Sequence, residues 1–180
     1  MINDPLIGII GPKLLNSDGT TQTSCGYNTV FGTKPITGEI IEEVDWVSGA
    51  AFLIRKEVIK KIGYLDEIYN PAYYEETDYC LRAKNTGYKI LYYPKTKIIH
   101  YNDGKISKET GIYNIIQRNK LIFILKNFPK SWLIYRTPLE IIILFREIIR
   151  EKKIPNQYKY LFNNYKKIIS HRKNRNNFIS

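Results

Sequence analysis

Residues 70–101 read NPAYYEETDYCLRAKNTGYKILYYPKTKIIHY, and the reading of this stretch decides the fold. Three acids, Glu75, Glu76 and Asp78, stand ahead of a run that closes on Gly87. Acids in a first turn meet the positive end of the helix dipole, and a glycine past the last turn supplies a left-handed stop. The spacing therefore predicts one helix, begun by the acids and ended at Gly87. The segments YKILYYP and KIIHY that follow are rich in β-branched and aromatic residues and predict two strands.

Within that helix Asp78 and Arg82 are four apart, the spacing of an ion pair on one face, which gives Asp78 a structural task. Glu75 and Glu76 remain, and at least one projects from the helix start. A carboxylate held there can take a proton from a hydroxyl within hydrogen-bond reach. Capping by itself also accounts for acids at a helix start, and for these residues alone it is the simpler reading. His100, one of two histidines, ends an apolar run, where a polar surface or satisfied core role is usual.

Working upstream, VDWVSGAAFLIRKEVIKKIG (residues 44–63) predicts an apolar strand, then a helix of about two turns closed by Gly63. Its small residues Ser48, Gly49, Ala50 and Ala51 permit close approach by another element or a ligand. Farther back, NSDG between IGIIGPKLL and TTQTSCG predicts a hairpin or a strand–loop–strand. Residues 27–43 read as irregular.

Downstream, KETGIYNIIQRNKLIFILKNF places Ile112, Ile115, Ile116, Asn119, Ile122 and Phe123 on one helical face before Pro129. Thr137, Pro138 and Glu140 have the pattern of a capping box that would start a further helix. From Trp132 to Phe145 the apolar run is interrupted by Arg136 and Glu140 and falls short of the roughly 20 residues a bilayer requires. It reads as a core helix or as a helix lying in a membrane interface.

Composition bounds these readings. At 180 residues, 43% hydrophobic and 25% charged, the chain fits one globular domain with an appended tail. Cys25 and Cys80 are too far apart in sequence to imply a disulfide framework or a zinc site. The first residues lack the basic start of a signal peptide, giving an expectation of a cytoplasmic chain. The formal charge of +11 is concentrated beyond residue 150. A basic tail attracts the anionic inner leaflet or nucleic acid, or is a solvated terminus, and no nucleic-acid-binding module accompanies it.

In order along the chain, Trp-x-x-Gly-Ala at Trp46, Gly-x-x-Asp-Glu at Gly63, Glu-Glu-x-Asp-x-x-x-Arg at Glu75 and a late His100 resemble the acceptor half of family 2 glycosyltransferases. The rhamnosyltransferase-like branch, with the GT-A fold, is the nearest match. The resemblance covers about residues 5–126, including PLIGIIGPKLLNSDGTTQ. It implies an α/β protein, a partial GT-A-like mixed sheet with flanking helices and a helical C-terminal extension. Residues 1–127 would form the acceptor-side part and residues 128–180 a basic, membrane-associating extension.

The resemblance implies that Glu76 is the general base on the acceptor hydroxyl, with Glu in place of the usual Asp, and that Glu75 supports it. Trp46, Gly49 and Asp78 match positions beside the sugars, and His100 matches a ligand of a divalent metal, manganese or magnesium, on the donor diphosphate. Asp66 and Glu67 match a structural turn. The implied partners are a nucleotide sugar and a glycan or lipid-linked acceptor, with contact at the membrane face.

Members of the family begin with a nucleotide-binding βαβ region that ends in an Asp-x-Asp-type motif, and no Asp-x-Asp occurs in these 180 residues. A single histidine gives a hard cation too few ligands, since magnesium wants about six oxygen donors. The expectation is a truncated enzyme, a split enzyme completed by a separate donor-half polypeptide, or a fragment, inactive or very weak alone, or else a non-catalytic glycan-binding or scaffold module. Loss of the parallel half of a sheet would leave an exposed edge near the N-terminus and favour a homodimer.

Overall fold

The computed structural model describes residues 4–29, 31–101 and 111–173. The fold is mixed α/β. Among the described residues the strands are β1 (Ile7–Leu15), β2 (Cys25–Thr29), β3 (Gly32–Ile36), β4 (Glu42–Val44), β5 (Trp46–Val47), β6 (Leu53–Ile54) and β7 (Lys89–Ile99). The α-helices among them are α1 (Lys56–Ile62), α2 (Glu75–Asn85), α3 (Ile112–Asn127), α4 (Lys130–Glu151) and α5 (Asn156–Lys173).

A four-stranded sheet runs β4–β7–β1–β6, with β1 and β7 parallel and the outer strands antiparallel to their neighbours. The second sheet has the order β3–β2–β5. On the larger sheet α2 contributes Tyr79, Cys80 and Ala83, one helical face, to a core with Ile9, Val44, Val47, Val58, Ile90 and Tyr92. A second core gathers Tyr69 and Tyr74 with Ile122 and Phe123 of α3 and Ile168 of α5.

The helix expected from the acids to Gly87 is α2, and Gly87 has φ 94°. The helix expected before Gly63 is α1, and its glycine has φ 74°. Both stops use a backbone conformation that costs glycine no Cβ clash.

Five expectations are corrected. The two strands expected after α2 are one, β7. Its register with β1 jumps from Pro12↔Tyr93 to Lys13↔Lys97, so Pro94, which has no N–H to give, falls in the irregularity. Residues 27–43, expected to be irregular, form most of β2 and all of β3. These strands carry Gly, Lys and Pro instead of an apolar alternation, and Pro35 is tolerated because β3 lies at an edge. The apolar strand expected at the start of residues 44–63 is divided among β4, β5 and β6 in two sheets.

The capping box at Thr137 does not form, because α4 begins at Lys130 and runs through Pro138. Thr137 donates to the Leu133 carbonyl at 2.7 Å, one turn back, and Glu140 pairs with Arg136 instead of capping. Finally, β1 is no exposed edge. It lies between β7 and β6, and the returning chain covers its far end through Leu15↔Thr21 and the Leu14 N–H bond to Ser24. The edge on that side of the sheet is the two-residue strand β6.

Candidate active site

Site geometry begins with the backbone ahead of α2. Tyr73 and Tyr74 have φ 75° and 74°, a left-handed conformation that costs a bulky residue about 1 kcal/mol or more. Asn119 of α3 holds them there. Its fully buried amide nitrogen meets the carbonyls of Tyr69 at 2.6 Å, Ala72 at 2.8 Å and Tyr73 at 2.8 Å. Arg118 in turn donates to the Asn119 side-chain oxygen at 2.9 Å and to the Asn70 carbonyl.

That turn presents Glu75 and Glu76 as the first residues of α2. Burial, reinforced by the charge of Glu75, pushes the Glu76 carboxyl up to about 7. Burial also raises Glu75, one of whose carboxylate oxygens is enclosed with no hydrogen-bond partner among the described residues. An acid poised near neutrality can hold or release a proton where a normal carboxylate could only stay ionised.

The segment after β5 sets the other wall. A Cβ on Gly49 would stand 3.3 Å from the Cβ of Glu76, so the glycine is what lets this segment lie against the acid. Trp46 in β5 is buried, and its indole N–H has no partner among the described residues. A buried donor left open costs about 1–3 kcal/mol unless a ligand or water takes it.

Asp78 is placed otherwise. It is fully buried, with Oδ1 taken by Tyr69 at 2.9 Å, Asn127 at 3.0 Å and Lys126 at 3.1 Å, and Oδ2 by Arg82 at 2.9 Å. The expected Asp78–Arg82 pair is present, and a sugar finds no exposed surface on Asp78. Asp66 belongs to the same network through Lys126 and His171, and its side chain caps the short turn Glu67–Tyr69.

His100 lies half-buried just past β7, its Nδ1 2.9 Å from the Gln22 side-chain oxygen. Among the described residues no group of three or more His, Cys, Asp or Glu could hold a metal ion. These residues alone do not fit the divalent metal expected at His100.

In the sequence Asn119 reads only as part of an apolar face. An amide in the middle of such a face was the available signal, since a buried amide must find partners. Lys126, on the same helix, is buried with no local sequence signal to mark it, since its partners Asp66 and Asp78 are distant in the chain.

The class these observations define is a mixed α/β protein with a half-buried pair of acids at a helix start. No protein-family model matches the chain. It is 23% identical over 156 residues to an N-acetylglucosaminyl-diphospho-decaprenol L-rhamnosyltransferase of Mycobacterium tuberculosis, covering 75% of this chain and 50% of that protein. It is 28% identical over 160 residues to the low-salt glycan biosynthesis hexosyltransferase Agl10 of Haloferax volcanii, covering 81% of this chain and 52% of that protein. The chain is thus a distant relative of glycosyltransferases, and it spans about half the length of those it matches.

Proposed function

We propose that this chain is the acceptor-side half of a GT-A glycosyltransferase of family 2 that transfers a hexosyl or rhamnosyl group from a nucleotide sugar to a glycan or lipid-linked acceptor. The observation that carries the reading is Glu76, raised to about 7 at the start of α2 and facing Gly49. Glu76 draws the proton from the acceptor hydroxyl as that oxygen attacks the anomeric carbon of the donor and the diphosphate leaves. Glu75 accepts a hydrogen bond from the acceptor, and Trp46 donates its open N–H to a sugar oxygen.

A membrane-facing role for α4 is part of this proposal. Ile134, Tyr135, Ile142, Phe145 and Ile149 are exposed, whereas Arg136 is the helix's buried residue. Arg146, Arg150, Lys152 and Lys153 accompany them. Among the described residues no helix is long and apolar enough to cross a membrane. An apolar face with basic flanks favours a helix lying on an anionic leaflet.

The second reading, a non-catalytic glycan-binding module, rests on the absence of Asp-x-Asp from these residues. Transfer from labelled nucleotide sugars to a lipid-linked acceptor separates the two, measured with manganese and a donor-side half added as a second polypeptide. Transfer that Glu76→Gln abolishes, with acceptor binding unchanged, supports the enzyme. Acceptor binding without any Glu76-dependent transfer supports the module.

A further inference from the structure

Beside the open indole N–H of Trp46 and the unpartnered carboxylate oxygen of Glu75, a third side chain near the site is unmet. Both amide atoms of Asn28 in β2 are enclosed without a hydrogen-bond partner among the described residues. Native folds leave few such groups, and each calls for a ligand or a trapped water.

Strand register places Asn28 next to Trp46. Gly26 and Asn28 are two apart in β2 and so share a face, and Gly26 is the cross-strand partner of Trp46. A Cβ on Gly26 would stand 2.8 Å from the Cζ2 atom of Trp46, so the indole, 6% exposed, packs over that glycine. The backbone N–H of Asn28 donates to Asp45 Oδ2 at 2.7 Å, and Asp45 directly precedes Trp46. On the other side of β2, Thr33 of β3 is paired with Asn28. Tyr74 closes on this β2–β3 hairpin: its hydroxyl bonds to Thr33 and would lie 3.3 Å from a Cβ on Gly32. The start of α2, with Glu75 next after Tyr74, is thereby held against the strand that carries Asn28.

The chemistry of these groups selects what they can hold. An amide offers an acceptor and two N–H donors, the indole one donor, and an ionised carboxylate only acceptors. An anion would meet the acceptors unfavourably, and an apolar group would leave every one of these atoms unmet. Neighbouring hydroxyls of a pyranose each give and accept a hydrogen bond, and they match the set.

We propose that Asn28 is a specificity residue of the acceptor site, its amide oxygen accepting from one sugar hydroxyl and its amide nitrogen donating to the adjacent one, beside the Trp46 indole. The proposal rests on the acceptor-side reading above and deepens it: the acceptor sugar presents a vicinal diol to the β2–β3 hairpin. Asn28 as a residue is only partly buried, so rotation of its own side chain brings the amide to the sugar.

The test follows the indole N–H resonances of the two tryptophans, Trp46 and Trp132, in the full chain. Methyl glucopyranoside, galactopyranoside, mannopyranoside and rhamnopyranoside are titrated into the parent, Asn28→Ala and Asn28→Leu, and Trp132→Phe assigns the two signals. At least one glycoside should shift the Trp46 signal saturably, and each Asn28 substitution should weaken that binding about tenfold, the size of one or two neutral hydrogen bonds. Asn28→Leu keeps the branch at Cγ and stands in if Asn28→Ala unfolds. Removing either hydroxyl of the diol from the bound glycoside should cost the parent about tenfold and cost Asn28→Leu nothing further, a coupling that a merely structural asparagine would not show. No saturable shift with any of the four glycosides overturns the proposal, the enclosed atoms then being met by water. Equal affinity in the parent and Asn28→Leu overturns it as well. Binding is the readout, so a sugar held without Asn28 removes this inference alone, whereas Asn28-dependent binding without Glu76-dependent transfer removes only the transferase reading.

Discussion

The side-chain nitrogen of Asn119 stands 2.8 Å from the carbonyl oxygen of Tyr73. One amide on α3 thereby fixes a left-handed pair of tyrosines on which the direction of Glu75 and Glu76 depends. Asn119→Ala removes three carbonyl contacts at once and should destabilise the chain by about 2–4 kcal/mol in urea unfolding. Hydrogen exchange at residues 75–79 should quicken more than in α1. A loss under about 0.5 kcal/mol would mean the turn holds itself.

Glu76 makes stability depend on pH in a definite direction. Its folded pKa is raised, so its contribution is complete below the ordinary carboxylate value of 4.5 and is lost as pH rises through about 7. Glu76→Gln, which cannot ionise, should gain on the parent by up to about 3 kcal/mol at pH 8 and show no such gain at pH 4. Paired thermal melts at the two pH values measure it. Equal differences at both would show that Glu76 titrates normally. In the complete enzyme the same carboxyl should make transfer rise with pH to a plateau above about 7.

Asp66 works in the opposite sense. Burial opposes its ionisation, but Lys126 and His171 outweigh burial and hold its carboxyl below the usual range. Its contribution is present above the unfolded value and is lost as pH falls through the folded one. Asp78→Ala, which strips a fully buried counter-charge from Lys126 and Arg82, should cost about 3–5 kcal/mol. Denaturant midpoints at pH 7 provide the measurement, and a cost near 1 kcal/mol would show that water replaces the carboxylate.

The exposed face of α4 is tested with vesicles. Ile142→Asp with Phe145→Asp should lower binding to phosphatidylglycerol vesicles by at least about tenfold in sedimentation, since each removes a side chain worth about 1.5–3 kcal/mol when buried. The circular dichroism spectrum should not change. Parent protein that stays in the supernatant would dismiss the lipid surface.

Much of this site was legible because α2 obeys local rules. Acids at its start, Arg82 four residues past Asp78 and Gly87 at its end each have a short-range physical reason, so the helix and its ion pair could be read without the fold. The β2–β3 hairpin could not, because its Gly, Lys and Pro are tolerated by sheet position, which only tertiary structure reveals. Thr137 and Pro138 misled for a related reason: a hydroxyl followed by proline starts a helix where the chain is free, but α4 is already two turns old there. The value near 7 at Glu76 was likewise hidden, since it comes from burial and from the neighbouring Glu75 carboxylate.

Both cysteines are enclosed in the core beneath the site, where burial pushes their thiols up to about 12. Cys80 sits one turn past Glu76 on α2. A thiol that is protonated and out of reach does not meet an alkylating reagent until the helix lifts from the sheet. The native sequence thus carries its own timer: the rate at which Cys80 is labelled counts the openings of the floor under the two acids.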